Sequence, residues 1–197
     1  QRVGLLEARS VGAVTTGNTT AKLSLLQGTV LARIRQRHGD EVLRAYVEAN
    51  ADAQAWLLGF LAEHEVAHQV RTAFTYATTD AGERSLAAEL DAAQAVGLPV
   101  EWSADPGLPF AVDRAITLAG QAQFHPIEVL IALAEAYFKL GGQLHTGVRL
   151  LGVRVADHCH VETSAGELTA DRVVLATGVP VLDRGAHFAR VRPQRSY

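Results

Sequence analysis

Apolar positions along the chain change period several times, and each change predicts a new element. Val3, Leu5 and Leu6 fall before Glu7, which reads as a short buried strand ending on a carboxylate. From Ser10 to Thr20 the apolar signal gives way to Gly, Thr and Asn, a loop composition. Leu23, Leu26, Val30, Leu31 and Ile34 then recur at helical spacing. Gly28 interrupts them, which predicts a loop or irregular first turn and then helix to about His38. Gly39-Asp40 predicts a break, since glycine suits the left-handed residue after one helix and aspartate caps the next. Beyond it Val42, Tyr46, Ala49, Ala53, Trp56, Leu57, Phe60 and Leu61 form one stripe, predicting an amphipathic helix over 41–63.

Period two then takes over: Val70, Phe74 and Tyr76 alternate with polar residues, predicting a strand within 66–76. Asp80 with Glu83 resembles a capping box opening a helix through Leu86, Leu90, Ala93 and Val96, ended by Gly97. A short strand at 98–102, a turn at Asp105-Pro106-Gly107 and a strand at 111–118 follow. Ala119 to His125 reads as an irregular connection, and Pro126 suits the first position of a helix that stops at Gly141-Gly142. The remainder predicts strands at 143–145, 149–156, 160–163, 167–170 and 172–176. The last of these, Val173-Val174-Leu175-Ala176, is fully apolar, as in a buried parallel strand, and runs into Thr177-Gly178. These alternations predict a mixed α/β (α+β) architecture without internal repeats.

Composition narrows the function classes. A net charge of -3 leaves no broad basic surface and argues against a nucleic-acid partner. Cys159 is the only cysteine, which precludes an internal disulfide and suits a reducing, cytoplasmic setting. No apolar run approaches the roughly 20 residues that cross a bilayer, so no membrane association is expected.

Two stretches carry candidate chemistry together. A strand ending in glutamate is what dinucleotide-binding βαβ units use to hold the ribose hydroxyls of adenosine. Small residues after Glu7 let backbone pass close to a bulky ligand. Ala176-Thr177-Gly178 would let backbone approach a cofactor at the C-terminal edge of a parallel sheet. Each stretch alone is equally well a strand end and a polar turn.

The order Leu-Leu-Glu-Ala-Arg (5–9), Thr-Thr-Gly-Asn-Thr-Thr-Ala-Lys (15–22), Gln-Ala-Gln-Phe-His-Pro (121–126), Ala-Thr-Gly (176–178) and Asp183-Arg184-Gly185 through Arg195-Ser196-Tyr197 resembles FAD-dependent oxidoreductases of the D-amino-acid oxidase/glycine oxidase superfamily. Within it the sequence is most similar to the bacterial subgroup that often carries a C-terminal Rieske domain. The resemblance implies a partial FAD/NAD(P)-binding three-layer domain with an inserted antiparallel substrate-domain segment. It implies that residues 1–66 and 119–178 belong to the FAD domain, 67–118 to the substrate domain, and 179–197 to a crossover toward the rest of it. It further implies that Glu7 binds the adenosine ribose, with Arg9 near the adenine and Leu150 meeting that ring through its backbone. Thr15, Thr16, Gly17, Asn18, Thr19 and Thr20 would line the FAD, and Ala176, Thr177 and Gly178 would approach it. The implied reaction is oxidation of a C–N bond in an amine or amino acid by hydride transfer to flavin, with oxygen or an electron-acceptor domain or protein as the next acceptor.

The family's leading strand and Gly-x-Gly-x-x-Gly have no counterpart in this sequence, nor do the Cys and His pairs of a Rieske cluster. The expectation is therefore an internal fragment of a longer enzyme, which alone binds FAD weakly or not at all. No residue is identified as a catalytic acid or base.

Other motifs compete. His64-Glu65-Val66-Ala67-His68 matches the H-E-x-x-H zinc-peptidase pattern, with Glu65 as general base and Glu89 as a third ligand. That alternative requires a continuous helix through His68, and a strand there excludes it. His158-Cys159-His160 offers only two His on one strand face and reads as structural. His125 reads equally as a group facing flavin or substrate and as part of the helix entry. A non-catalytic fold remnant or interaction module is the remaining alternative.

Overall fold

The computed structural model describes residues 2–103, 105–178 and 182. The expectations for 179–181 and 183–197, including the crossover and the Asp183 to Tyr197 motif, lie outside the described residues. The chain forms two compact units, one of residues 1–19 and 130–197 and the other of residues 20–129.

The second unit is built on a four-stranded antiparallel sheet. Its central strand is β5 (Arg114–Phe124), flanked on one side by β3 (His68–Ala77) and on the other by β2 (Lys22–Leu23) and β4 (Glu101–Ser103). Helices α1 (Val30–Glu63) and α2 (Asp80–Ala95) complete it. Leu31, Leu43, Leu86, Ala93, Val100 and Ile116 form the centre of one apolar cluster, each at most 2% exposed. The break at Gly39 is present: its φ of 80° and ψ of -179° interrupt α1.

Several local expectations are corrected. The buried face of α1 after Gly39 is Leu43, Val47 and Leu61, whereas Val42 is 47% and Trp56 63% exposed. The true stripe passes through the polar Asn50 and Gln54, so counting apolar residues alone rotates it by one position. Ala119–Phe124 is not an irregular connection but the second half of β5. Leu118 pairs with Ala73 and Gln121 with Arg71, so Ala119 and Gly120 together oppose Thr72. Gly120, at φ 71°, supplies the left-handed residue of this bulge, which is why the sequence there lacks a clean strand period. Helix α2 is capped one residue earlier than Asp80: the Thr79 hydroxyl accepts the Gly82 N–H at 3.1 Å.

The first unit contains a two-stranded parallel pair, β1 (Gly4–Glu7) with β6 (Gln143–Thr146), and an antiparallel meander of β7 (Leu150–Val155), β8 (Cys159–Thr163) and β9 (Gly166–Ala170). Helix α3 (Pro126–Lys139) begins on its proline, and the Val129 N–H reaches the His125 carbonyl at 3.3 Å. The expected strand at 172–176 is absent. That segment has no ladder partner among the described residues, and Val174 is 88% and Leu175 50% exposed. An apolar run becomes a strand only where a neighbour satisfies its N–H and C=O groups. No helix among the described residues is long and apolar enough to cross a membrane.

Candidate functional site

Parallel pairing makes β1 and β6 end at the same edge, with Glu7 opposite Thr146. Ligands of parallel α/β sheets gather outside such C-terminal edges. Two hydrogen bonds clamp the following loops together there. The Gly147 N–H donates to the Arg9 carbonyl at 2.8 Å and the Val148 N–H to the Glu7 carbonyl at 3.0 Å. The Glu7 carboxylate is held from its own turn, with Oε1 accepting the Arg9 N–H at 2.9 Å. The side chain is therefore oriented yet only half-buried. Glu7, Arg9 and the backbone leading into Leu150 are thus neighbours, although more than 130 residues separate them in sequence.

The Thr-rich stretch is an ordered loop. A 3-10 turn spans Thr16–Asn18, the Asn18 N–H reaches the Thr15 carbonyl at 3.2 Å, and Asn18 Nδ2 donates to the Val14 carbonyl at 2.6 Å. A Cβ on Gly17 would run into the Gly12 carbonyl, so this close approach requires glycine. Thr15, Thr16, Asn18, Thr19 and Thr20 are exposed, with Thr20 the first residue of the second unit. Ala176, Thr177 and Gly178 are exposed too, on irregular backbone rather than at a strand end.

The zinc-peptidase geometry is not formed. Helix α1 ends at Glu63, the His64 ring lies tilted against Phe60 with centroids 4.2 Å apart, Glu65 turns left-handed with φ 54°, and His68 opens β3. The two histidines therefore do not share a helical face. No group of three His, Cys, Asp or Glu among the described residues could hold a metal ion.

Glu89 instead has a role that sequence reasoning missed. It is fully buried, and its carboxylate accepts the N–H groups of Leu31 at 3.1 Å and Ala32 at 2.7 Å. Thr29, at the N-cap position of α1, makes no side-chain cap, so Glu89 caps that helix from 58 residues away. Burial pushes its carboxyl pKa up, while the two N–H groups and nearby Arg33 pull it back. Gln121 is a second hidden polar anchor. Its Oε1 accepts from Leu25 N–H at 2.8 Å and Gln54 Nε2 at 3.1 Å, and its Nε2 donates to the Ala119 carbonyl at 2.9 Å.

Of the other motifs, His158 Nδ1 lies 3.2 Å from Asp171 Oδ1, tying the start of β8 to the end of β9.

Comparison with known proteins bears on this edge. The family profile described as DAO, FAD dependent oxidoreductase, matches residues 1–197. A Bacillus subtilis (strain 168) protein named "Putative Rieske 2Fe-2S iron-sulfur protein YhfW" is 27% identical over 200 residues, covering 100% of this chain and 39% of that protein. The fold matches glycine oxidase from Geobacillus kaustophilus with a TM-score of 0.65 at 20% identity, over 90% of this chain and 49% of that one. It matches L-proline dehydrogenase from P. horikoshii with a TM-score of 0.64 at 16% identity, over 91% of this chain and 47% of that one. The chain thus spans less than half the length of these relatives.

Proposed function

The chain belongs to the DAO family of FAD dependent oxidoreductases, and from that premise we propose that it supplies the adenosine end of the flavin site, and part of the substrate side, in a longer flavoenzyme. Glu7 takes the ribose hydroxyls, Arg9 lies beside the adenine, and backbone at Leu150 meets the same ring. Thr15, Thr16, Gly17, Asn18, Thr19 and Thr20 line the cofactor, and Ala176, Thr177 and Gly178 approach it. In this reading residues 1–66 and 119–178 serve the flavin, 67–118 the substrate side, and 179–197 the crossover. The observation that carries the proposal is the edge of β1 and β6. A carboxylate oriented by the Arg9 N–H stands half-exposed where two parallel strands end, beside a loop whose backbone closes tightly only because Gly17 lacks a side chain.

The residues present fit the ribose end of FAD. A half-buried carboxylate is a strong acceptor for paired hydroxyls, and one oxygen fixed by a backbone donor limits its freedom. The pyrophosphate needs converging N–H donors such as a glycine-rich turn provides, and those belong to the wider protein in this reading. FAD, when bound, supplies the hydride acceptor. The substrate proposed is an amine or amino acid oxidised at its C–N bond, which the glycine oxidase and L-proline dehydrogenase likenesses support. Oxygen or an iron–sulfur protein or domain follows as electron acceptor, the latter supported by the Rieske name of the Bacillus relative.

The test is flavin content in a protein extended to the length of these relatives. Reconstitution should give absorbance near ~450 nm, where oxidised flavin absorbs. Glu7→Gln should raise the FAD Kd by roughly tenfold while leaving the melting temperature of flavin-free protein unchanged. An extended protein that folds yet stays colourless in excess FAD overturns the proposal.

A further inference from the structure

We propose that the substrate is an aromatic amine without a carboxylate, held on the face of the four-stranded sheet that turns away from α1 and α2. The inference rests on the reading above that residues 67–118 serve the substrate side. It narrows the choice between an amine and an amino acid to the first.

Strand register defines this face. Ile116 and Leu118 of β5 join Leu43 of α1 and Leu86 of α2 in one apolar cluster, so those alternate positions turn toward the helices. Successive residues of a strand alternate between faces, and directly opposed residues of neighbouring strands share one. Thr117 therefore turns away from the helices, with Glu101 of β4 opposite it on one side and Phe74 of β3 on the other. Two positions along, Ala115 stands in the same way between Ser103 and Tyr76. Each row spans three strands, about 10 Å, and the rows lie ~7 Å apart along the strands, a patch of the size of a small amine.

Charge selects one end of the ligand. Glu101 is exposed and forms no ion pair or hydrogen bond among the described residues. The outward positions of β2, β3, β4 and β5 carry no other carboxylate, and no Lys or Arg. A single carboxylate on such a face complements an ammonium, while a carboxylate on the ligand would find no cation there. The Thr117 hydroxyl, next in the row, is a further acceptor for the ammonium N–H groups.

The other end of both rows is aromatic. Phe74, Tyr76 and Phe110 are all exposed, and Phe110 meets Tyr76 edge-on with ring centroids 5.4 Å apart. Each ring of that pair limits the other, so Tyr76 is a positioned surface for an aryl group rather than a freely turning ring. Carboxylate at one side and rings at the other match an ammonium and an aryl group joined by a short chain.

Isothermal titration of the 197-residue chain with 2-phenylethylamine tests the proposal, against L-phenylalanine, propylamine and 3-phenylpropionate. Saturable binding of one aromatic amine per chain is expected, weaker for L-phenylalanine and propylamine and weakest for 3-phenylpropionate. Glu101→Gln should raise the Kd about fivefold. Phe74→Leu, which keeps an apolar side chain on β3, should raise it by a similar factor of about five. Glu101 is exposed, so circular dichroism and the thermal midpoint of Glu101→Gln should match the parent chain. Binding that never saturates, L-phenylalanine or 3-phenylpropionate binding as tightly as the amine, or a Glu101→Gln chain that binds like the parent overturns the proposal. The extended protein keeps the two readings apart. Flavin absorbance without this amine preference overturns the present inference alone, whereas the amine preference without flavin absorbance upholds this face and overturns the flavin reading.

Discussion

The two compact units solve the same burial problem to different degrees. In residues 20–129, β5 is paired on both sides, and Leu31, Leu43 and Leu86 of the helices and Ile116 of β5 reach almost complete burial. In the other unit, Ala132 and Val161 are buried, yet Leu140 is 86%, Val174 88% and Val155 64% exposed. A two-stranded parallel pair cannot cover the apolar residues that it brings together. Burial of apolar area contributes roughly 25 cal/mol per Å², so the first unit draws far less stability from its own residues than the second. The candidate cofactor edge lies on this less buried unit.

The sharpest way to break this contrast is a pair of leucine truncations. Leu43→Ala, at a fully buried position, should cost about 3 kcal/mol in denaturant unfolding. Leu5→Ala in β1, where the leucine is 47% exposed, should cost under about 1 kcal/mol. Equal losses would mean that β1 is as firmly packed as α1, and the comparison would fail.

Glu89 supplies the next largest effect. Glu89→Ala removes the acceptor of two helix N–H groups and should cost about 2 kcal/mol. The pH dependence has a definite sign. Because the folded carboxyl titrates above the ordinary glutamate value, its stabilising contribution is fully present below that value and is lost as pH rises through the folded pKa. Glu89→Gln should remove this part of the pH profile, so the stability gap between the two proteins should change across that window and stay flat above it. Parallel profiles throughout would show that Glu89 does not titrate differently in the folded chain.

A smaller and more local effect is expected at Gly142. Tyr137 donates its hydroxyl to the Val3 carbonyl at 2.7 Å and the Gln143 carbonyl at 3.2 Å, binding α3 to β1 and β6. A Cβ on Gly142 would strike the Tyr137 ring, so Gly142→Ala should cost about 1 kcal/mol. Hydrogen exchange should locate that loss in β1 and β6 and leave β5 protected. Loss of protection in β5 as well would show that the two units unfold together.

Much of the fold is legible from periodicity, and the misreadings have local causes. Gly39 marks the break in α1 because no side chain easily adopts its φ of 80°. Strand β3 announces itself by alternation, which also dissolves the H-E-x-x-H reading once α1 stops at Glu63. The face of α1 is misread because Asn50 and Gln54 occupy inward positions, where a polar amide is acceptable only with partners that sequence cannot supply. The second half of β5 is misread because its bulge breaks the alternation on which strand recognition depends.

At the candidate edge, the strand ending in Glu7 and the small-residue loop are readable in order along the chain. Their union with residues 147–148 is not, since it depends on β1 choosing β6 as its parallel neighbour.

The sequence by itself determined the type of most elements, the position of Gly39, the carboxylate at a strand end and membership in a flavoprotein family, because these depend on local propensity and on motif order. Tertiary structure alone decided that Glu89 caps a helix rather than ligating a metal and that Gln121 holds the Leu25 N–H and the Gln54 amide. It also decided that Val173 to Ala176 stays outside any sheet. In each case the outcome depends on which distant backbone groups meet the side chain or strand, and hydrogen-bond partners separated by tens of residues leave no periodic trace in the sequence.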